Sequence, residues 1–345
     1  MGRIAAAVLT LVLLQPSLAL SESYPRRGLQ QLRLSPDGHY ILAQTDFRIA
    51  VLTVQPLSVL LQIPAAFASP SNFTPDSQEI VFLNSAQNAP MQPFVSYVER
   101  WSIAERKRVS HTAISDQTCR SEDLSPDGNF LACVDAKGTL RLIDVASTGT
   151  IFEKKRFGQL FMWVGTCREF NSTVNASCIP ANESGNPGSA TFHFSPDGRF
   201  AVAMQENSRG APLAFDLRER RVVRMTGELR RFDAFTFVAP NRAVISRSGK
   251  NIQINRLVAF PSGEDLSKAA RLPAGPLSLA ADHGFILIRT FVGRAVDYRS
   301  GQVIANDTPA LDVFRNFYVA ELANGEVGLY DRDKGLQAVL ALPGR

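Results

Sequence analysis

The chain has 345 residues, of which 45% are hydrophobic and 20% are charged, so it can form a packed core and is not disordered as a whole. Its formal net charge of +5 is too small to point to one class of partner, and we expect no binding to nucleic acid. A chain of this length normally predicts about two domains, unless it is built from repeats.

The first nineteen residues have the pattern of a secretory signal peptide. A short positive start, Met1–Arg3, is followed by an eleven-residue run, Ile4–Leu14, that is apolar except for Thr10, and Ser17-Leu18-Ala19 fits a small-x-small cleavage site. An apolar run this short reaches only about half-way across a hydrocarbon core of roughly 30 Å, which disfavours a membrane anchor. We therefore expect residues 1–19 to be removed and residues 20–345 to form a single exported domain, periplasmic or extracellular, without a transmembrane segment.

A four-residue turn motif recurs along the rest of the chain. Ser-Pro-Asp-Gly stands at Ser35–Gly38, Ser125–Gly128 and Ser195–Gly198, each time between two short stretches with apolar positions. Proline presets φ at the first turn position, aspartate caps the turn, and glycine adopts the left-handed conformation that closes a tight hairpin. Weaker copies of the turn start near residues 74, 239, 281 and 315.

The spacing of these turns predicts a ring of similar β-sheets. Seven turns in the 326 residues after Ala19 give about 47 residues for each repeat, which is close to the length of a four-stranded propeller blade. The strands are apolar on both faces, as expected where blades pack face to face. The sequence predicts an all-β, seven-bladed β-propeller of four-stranded blades with an insertion between blades 3 and 4. A two-sheet β-sandwich and an eighth, degenerate blade are the alternatives.

Four cysteines, an even number, favour two disulfides in an oxidising compartment. Cys119 lies six residues before the second Ser-Pro-Asp-Gly turn and Cys133 five residues after it. A hairpin then places them opposite each other or one diagonal step apart, whereas a register shift of one residue would forbid the bond. Cys167 and Cys178 would form the second disulfide.

The spacing between the turns at Ser125 and Ser195 leaves an insertion at about residues 157–189. Loops that are longer than the fold requires are often functional. This one carries an apolar run that is a candidate partner-binding segment, formed by Leu160, Phe161, Met162 and Trp163. The alternative is that these residues form an extra strand along the edge of the third blade.

Arginines are concentrated in the outer strands of the fourth predicted blade. Arg218, Arg220, Arg221 and Arg224 are followed closely by Arg230 and Arg231. The first four are a candidate surface for an acidic partner. The alternative is that they only protect an exposed sheet edge from pairing with other chains.

The repeated pattern of an apolar strand, Ser-Pro-Asp-Gly, a second apolar strand and a third strand that ends in aspartate, as in Leu140–Asp144, resembles WD-repeat and TolB-type β-propellers. The resemblance covers nearly the whole chain after Ala19. It implies the propeller fold, but it implies no particular function. No repeat has the Trp-Asp pair or the opening Gly-His of WD repeats.

Motifs for catalysis are absent from the sequence. There is no Gly-x-Ser-x-Gly elbow, no phosphate-binding loop and no Cys-x-x-Cys, and no carboxylate or histidine recurs on the predicted first strands. We therefore predict no catalytic, cofactor-binding or metal-binding residue. The favoured function is a monomeric, non-catalytic scaffold that binds a protein or small ligand. The alternative is a propeller enzyme or enzyme subunit with its site in the central channel, as in lactonase-like or quinoprotein-like enzymes.

Overall fold

Every regular element in the described part of the chain is a β-strand or a short 3-10 helix. The computed structural model describes residues 29–342 with gaps at 30, 46, 66–70, 88–93, 115–118, 136–137, 156, 158–189, 206–211, 249–252, 270–271, 273–278, 283–284, 290–292, 298–302, 309–310 and 323–324. The strands form antiparallel sheets, each built from strands that are consecutive in the chain. The fold is an all-β propeller.

Three sheets precede the predicted insertion. Sheet 1 consists of β1 (Gln31–Leu34), β2 (Tyr40–Gln44), β3 (Arg48–Thr53) and β4 (Ser58–Pro64). Sheet 2 consists of β5 (Asn72–Phe73), β6 (Glu79–Gln87), β7 (Phe94–Ser102) and β8 (Lys107–Ile114). Sheet 3 consists of β9 (Cys119–Leu124), β10 (Phe130–Asp135), β11 (Leu140–Asp144) and β12 (Gly149–Lys154).

Four sheets follow the predicted insertion. Sheet 4 consists of β13 (Ala190–Phe194), β14 (Phe200–Gln205), β15 (Leu213–Asp216) and β16 (Arg221–Val223), and sheet 5 of β17 (Ala234–Ala239), β18 (Arg242–Ser248) and β19 (Gln253–Ala259). Sheet 6 consists of β20 (Leu279–Asp282), β21 (Phe285–Arg289), β22 (Gly293–Asp297) and β23 (Val303–Thr308). Sheet 7 consists of β24 (Leu311–Phe314), β25 (Phe317–Glu321), β26 (Val327–Asp331) and β27 (Gly335–Leu340). The 3-10 helices are Gly227–Arg230 and Ser267–Ala269.

The prediction of seven four-stranded blades was wrong, because six sheets in the described residues have four strands and sheet 5 has three. After β19 the chain turns back at Gly263, and only a short segment bonds to the open edge of that strand. The amide of Ala259 donates to the carbonyl of Glu264 at 2.9 Å, and the amide of Leu266 donates to the carbonyl of Leu257 at 2.8 Å. A 3-10 helix then begins at Ser267, where a fourth strand was expected.

The predicted turns are confirmed as the connections between first and second strands in the six sheets whose turns lie within the described residues. In the first copy, the hydroxyl of Ser35 donates to the carboxylate of Asp37 at 2.6 Å and accepts from the amide of Tyr40 at 2.9 Å. The same Asp37 oxygen accepts from the amide of His39 at 3.0 Å, which caps the turn as predicted. The hydroxyl-to-carboxylate bond recurs at 2.6 Å in the turns of sheets 2, 3 and 4, from Thr74, Ser125 and Ser195.

Apolar clusters fill the space between neighbouring sheets. Successive residues of β2 show the arrangement: Ile41 packs with sheet 7, and Leu42 packs with sheet 2. Further clusters join sheet 2 to sheet 3, sheet 3 to sheet 4, and sheet 4 to sheet 5. The burial of both strand faces explains why the sequence shows continuous apolar runs rather than alternation.

Side chains close the ring between sheets 7 and 1, since neither sheet borrows a strand from the other end of the described chain. Two buried carboxylates of sheet 7 accept backbone hydrogen bonds from the first strand region: Asp312 from the amide of Leu34 at 2.6 Å, and Glu321 from the amide of Leu29 at 2.9 Å. Gly38 packs directly on the Phe314 ring. This junction therefore depends on a few specific contacts.

The disulfide predicted between Cys119 and Cys133 is confirmed. It joins β9 to β10 with a Cα–Cα distance of 5.5 Å. A shift in strand register between Val134 and Asp135 brings Cys119 opposite Asp135. The bond thus links the first two strands of sheet 3. Cys167 and Cys178 lie outside the described residues.

Removal of this disulfide is expected to lower the free energy of unfolding by about 2–3 kcal/mol, because the bond closes a short loop in the unfolded chain. The test is urea unfolding of Cys119→Ala/Cys133→Ala beside the oxidised parent protein, with non-reducing peptide mapping of the parent. Equal midpoints, or a Cys119 found paired with Cys167, would contradict the prediction.

Candidate functional site

The first strands of the sheets form the inner wall of the propeller. Contacts between neighbouring sheets join β1 to β24, β9 to β13, β13 to β17 and β17 to β20, all of which are first strands. Between sheets 1 and 2, the Gln31 amide group donates to the carbonyl of Ser71, which directly precedes β5, at 2.9 Å. Side chains on these strands are therefore the ones that can meet at the centre of the fold.

Equivalent positions on six of these strands carry polar side chains, which we call the inner ring. We define this position by strand pairing. Each of the six polar residues lies opposite one residue of the second strand in its own sheet, and those second-strand residues are Leu42, Val81, Ala132, Val202, Val244 and Val319. Five of those six second-strand residues pack against the following sheet. The ring consists, in chain order, of Arg33, Asn72, Asp123, His193, Thr236 and Asp312.

Four members of the inner ring are bonded to one another or buried, and one of these is Thr236, which is 6% exposed. The guanidinium of Arg33 donates to the side-chain oxygen of Asn72, which holds the two residues together across sheets 1 and 2. Asp312 is almost fully buried and accepts from the amides of Leu34 and Val313. Arg33, Asn72 and Asp312 hold neighbouring sheets in place, in addition to contributing polarity to the ring.

Asp123 and His193 are the more open members. One Asp123 oxygen accepts from the amide of Leu124 at 2.9 Å, and the other makes no hydrogen bond to a described residue. His193 makes no side-chain hydrogen bond or ion pair within the described chain, and its ring lies 5.7 Å from that of Phe235. Both side chains are partly buried. Each has polar atoms that a ligand can use.

Burial favours the neutral forms of both groups. It raises the pKa of the Asp123 carboxyl to about 7, against the lowering effect of the nearby Arg33 charge, and neighbouring Glu122 raises that pKa further. Burial also raises the pKa of Glu122 and lowers the pKa of His193 to about 4. A carboxyl with a raised pKa beside a neutral imidazole is typical of functional sites, although ion-pair networks also shift pKa values.

The inner ring was not predicted, because neither a carboxylate nor a histidine recurs at this position in every repeat. The recurring property is polarity, and the types differ from sheet to sheet. In the first four repeats these residues stand two positions before the serine or threonine of the turn, so aligning the turns would have found Arg33, Asn72, Asp123 and His193.

The predicted arginine surface lies at the outer edge of sheet 4. Arg218 and Arg220 belong to the turn before β16, Arg221 begins that strand, and Arg224 follows it. Arg220 forms an ion pair with Asp144 of sheet 3 at 2.8 Å, so it holds two sheets together. Arg218, Arg221 and Arg224 are exposed and make no ion pair with any described residue. We call these three residues the basic edge.

The other predicted partner-binding residues, Leu160 to Trp163, lie outside the described residues. Within the described ranges, no group of three or more histidine, cysteine, aspartate or glutamate side chains is arranged to hold a metal ion. The same ranges contain no helix that is long and apolar enough to cross a membrane.

Comparison with known proteins adds no relative to this description. The chain matches no protein-family model, and a search of curated proteins finds no significant match.

Proposed function

We propose that this protein is an exported, non-catalytic β-propeller that acts as a binding scaffold, and that its basic edge contacts a protein partner with an acidic surface. The observation that carries this proposal is the exposure of Arg218, Arg221 and Arg224 without ion pairs in the described chain, beside Arg220, which has one. Arginine is enriched at protein interfaces, where its planar group binds carboxylates with two hydrogen bonds.

Export is supported by two features of the chain. Residues 1–19 have the pattern of a signal peptide, and the Cys119–Cys133 disulfide is of a kind that is rare in cytosolic proteins. We also propose that the chain is related to WD-repeat or TolB-type propellers, and the Ser-Pro-Asp-Gly turns support this proposal.

The test compares two charge-reversed variants with the parent protein as baits in extract from the source organism. Arg218→Glu/Arg221→Glu/Arg224→Glu removes the basic edge. Lys107→Glu/Lys154→Glu/Lys155→Glu makes the same change in net charge at exposed positions of sheets 2 and 3. We expect the arginine variant to lose a partner that the lysine variant keeps. Capture of the same proteins by all three baits would refute the proposed surface.

Salt supplies an independent check of the same interface. Contacts between exposed charges are screened once the ionic strength shortens the Debye length to a few ångströms, at about 1 M salt. The captured partner should therefore elute between 0.15 and 1 M sodium chloride, roughly the range over which screening becomes strong. Retention of the partner at high salt would indicate an apolar interface elsewhere.

A ligand site at the centre of the propeller is the second candidate function. The observation in its favour is the inner ring, with polar side chains at the same register position of six first strands. Such a site would serve a binding protein or an enzyme.

A further inference from the structure

The inner ring offers a set of acceptors for an ammonium group. Asp123 and His193 stand at equivalent positions of β9 and β13, which are in contact. The open carboxylate oxygen of Asp123 is one acceptor. A neutral imidazole has one unprotonated nitrogen, so His193 is a second. Thr236 occupies the next position of the ring after His193 and brings a hydroxyl.

On the other side of Asp123, Arg33 brings a positive charge, and the buried carboxylate of Asp312 lies at the next position of the ring beyond Arg33. Arg33 and Asn72 precede Asp123 in the ring and are bonded to each other. Arg33 is close enough for its charge to act on the Asp123 carboxyl. We call the part of the ring from Arg33 to His193 the arc. A ligand that lies along the arc meets the positive charge of Arg33 at one end, and the Asp123 carboxyl with the neutral His193 imidazole at the other.

We propose that the inner ring binds a small zwitterion of the amino-acid class, with its ammonium group on Asp123 and His193 and its carboxylate toward Arg33. The proposal concerns a different surface from the basic edge and does not depend on it. A ligand charged at both ends matches both signs in the arc. A simple anion would meet the carboxyl of Asp123, and a simple amine would meet the charge of Arg33 without a compensating group.

Binding of this kind displaces a proton from the protein. With a pKa of about 7, the Asp123 carboxyl is about half protonated at pH 7 in the free protein. An ammonium group beside Asp123 favours the charged form of its carboxyl. His193 stays neutral in this range, so the proton comes from Asp123.

The experiment is isothermal titration calorimetry of the whole folded protein with glycine, β-alanine, γ-aminobutyrate and 6-aminohexanoate, which separate the two charges by increasing distances. Butyrate and butylamine, which each lack one charged end, are the control ligands. We expect at least one of the four zwitterions to bind more tightly than both controls. The binding enthalpy of that ligand at pH 7 should depend on the ionisation enthalpy of the buffer, since protons are released.

Two variants locate the site. Asp123→Asn should weaken binding of the best zwitterion by about tenfold or more, as expected for loss of a charge-assisted hydrogen bond, and should abolish the dependence on buffer. Asp333→Asn, at an exposed turn of sheet 7, is the matched control and should bind as the parent does. Circular dichroism checks that each variant is folded.

The remaining outcomes contradict the proposal. If no zwitterion binds more tightly than butyrate and butylamine, the ligand class is wrong. If a zwitterion binds but Asp123→Asn binds it equally well, the site is wrong. If binding occurs with no release of protons at pH 7, Asp123 does not receive the ammonium group.

Discussion

Replacing Asp123 with asparagine is expected to stabilise the protein above pH 7, by up to about 4 kcal/mol. Burial raises the pKa of this carboxyl in the folded state from 3.8 to about 7. The folded protein therefore binds the proton more tightly than the unfolded chain, and the stability contributed by Asp123 falls as the pH rises from about 4 to about 7. Asparagine is neutral throughout and keeps an oxygen for the amide of Leu124.

The measurement is the free energy of unfolding in urea at several pH values, as the difference between Asp123→Asn and the parent protein. That difference should grow with pH up to about 7 and then stay constant. Asp333→Asn serves as the control, because its side chain is exposed. A difference that does not change with pH would mean that Asp123 is well solvated in the folded protein.

His193 should show the opposite dependence on pH. Burial lowers the pKa of its imidazole from 6.5 to about 4, so the unfolded chain binds this proton more tightly than the folded protein. Stability is then lost as the pH falls from about 6.5 to about 4. His193→Gln should therefore gain stability over the parent protein in acid and little at pH 8. If the gain in unfolding free energy changed with pH in the same direction for Asp123→Asn and His193→Gln, one of the two pKa shifts would have the wrong sign.

The Gly38→Ala substitution is expected to lower the free energy of unfolding by about 2–5 kcal/mol, because it opposes closure of the ring. Gly38 has a φ of 78°, which costs an L-residue about 1–2 kcal/mol. A Cβ atom at this position would also lie 2.4 Å from Cε1 of Phe314 in sheet 7. Moving that ring adds roughly 1–3 kcal/mol of overpacking.

Gly335 provides a matched control for the backbone contribution. Its φ of 77° is nearly the same, and a Cβ atom there would have no neighbour within 4 Å. Gly335→Ala should cost only about 1–2 kcal/mol. In a Phe314→Ala background, Gly38→Ala should lower the free energy of unfolding by the same amount as Gly335→Ala does in the parent protein. Equal effects of the two glycine substitutions in the parent protein would show that the contact with Phe314 does not stabilise the junction.

The sequence predicted the features that depend on neighbouring residues. The turn at Ser125–Gly128 sets the hairpin register as far as Val134, and the register shift that follows brings Cys119 opposite Asp135, one diagonal step from Cys133. Ser-Pro-Asp-Gly forms through bonds within six residues, so its structure could be inferred from its letters alone. The shift after Val134 was not predicted, because it lies in the strands beyond the turn.

Features that depend on distant residues could not be inferred in this way. The ion pair between Arg220 and Asp144 joins residues 76 positions apart, and nothing in the sequence near either residue indicates it. That sheet 5 has no fourth strand within the described residues depends on how the segment after Gly263 bonds to the edge of β19. Two members of the inner ring, Thr236 and Asp312, can be placed only from the strand registers, because their turns lack the serine or threonine that marks the position in the first four repeats.

Closure of the ring by side chains has a consequence for chain connectivity. Leu29 and Leu342, the first and last described residues, belong to the same apolar cluster, so a short linker could join these two points. Every sheet is continuous in sequence, and new chain ends opened between two sheets would leave all of them intact. Circular permutants cut between sheets should therefore fold, whereas permutants cut within a sheet would replace one of its hairpins by an unlinked pair of strands.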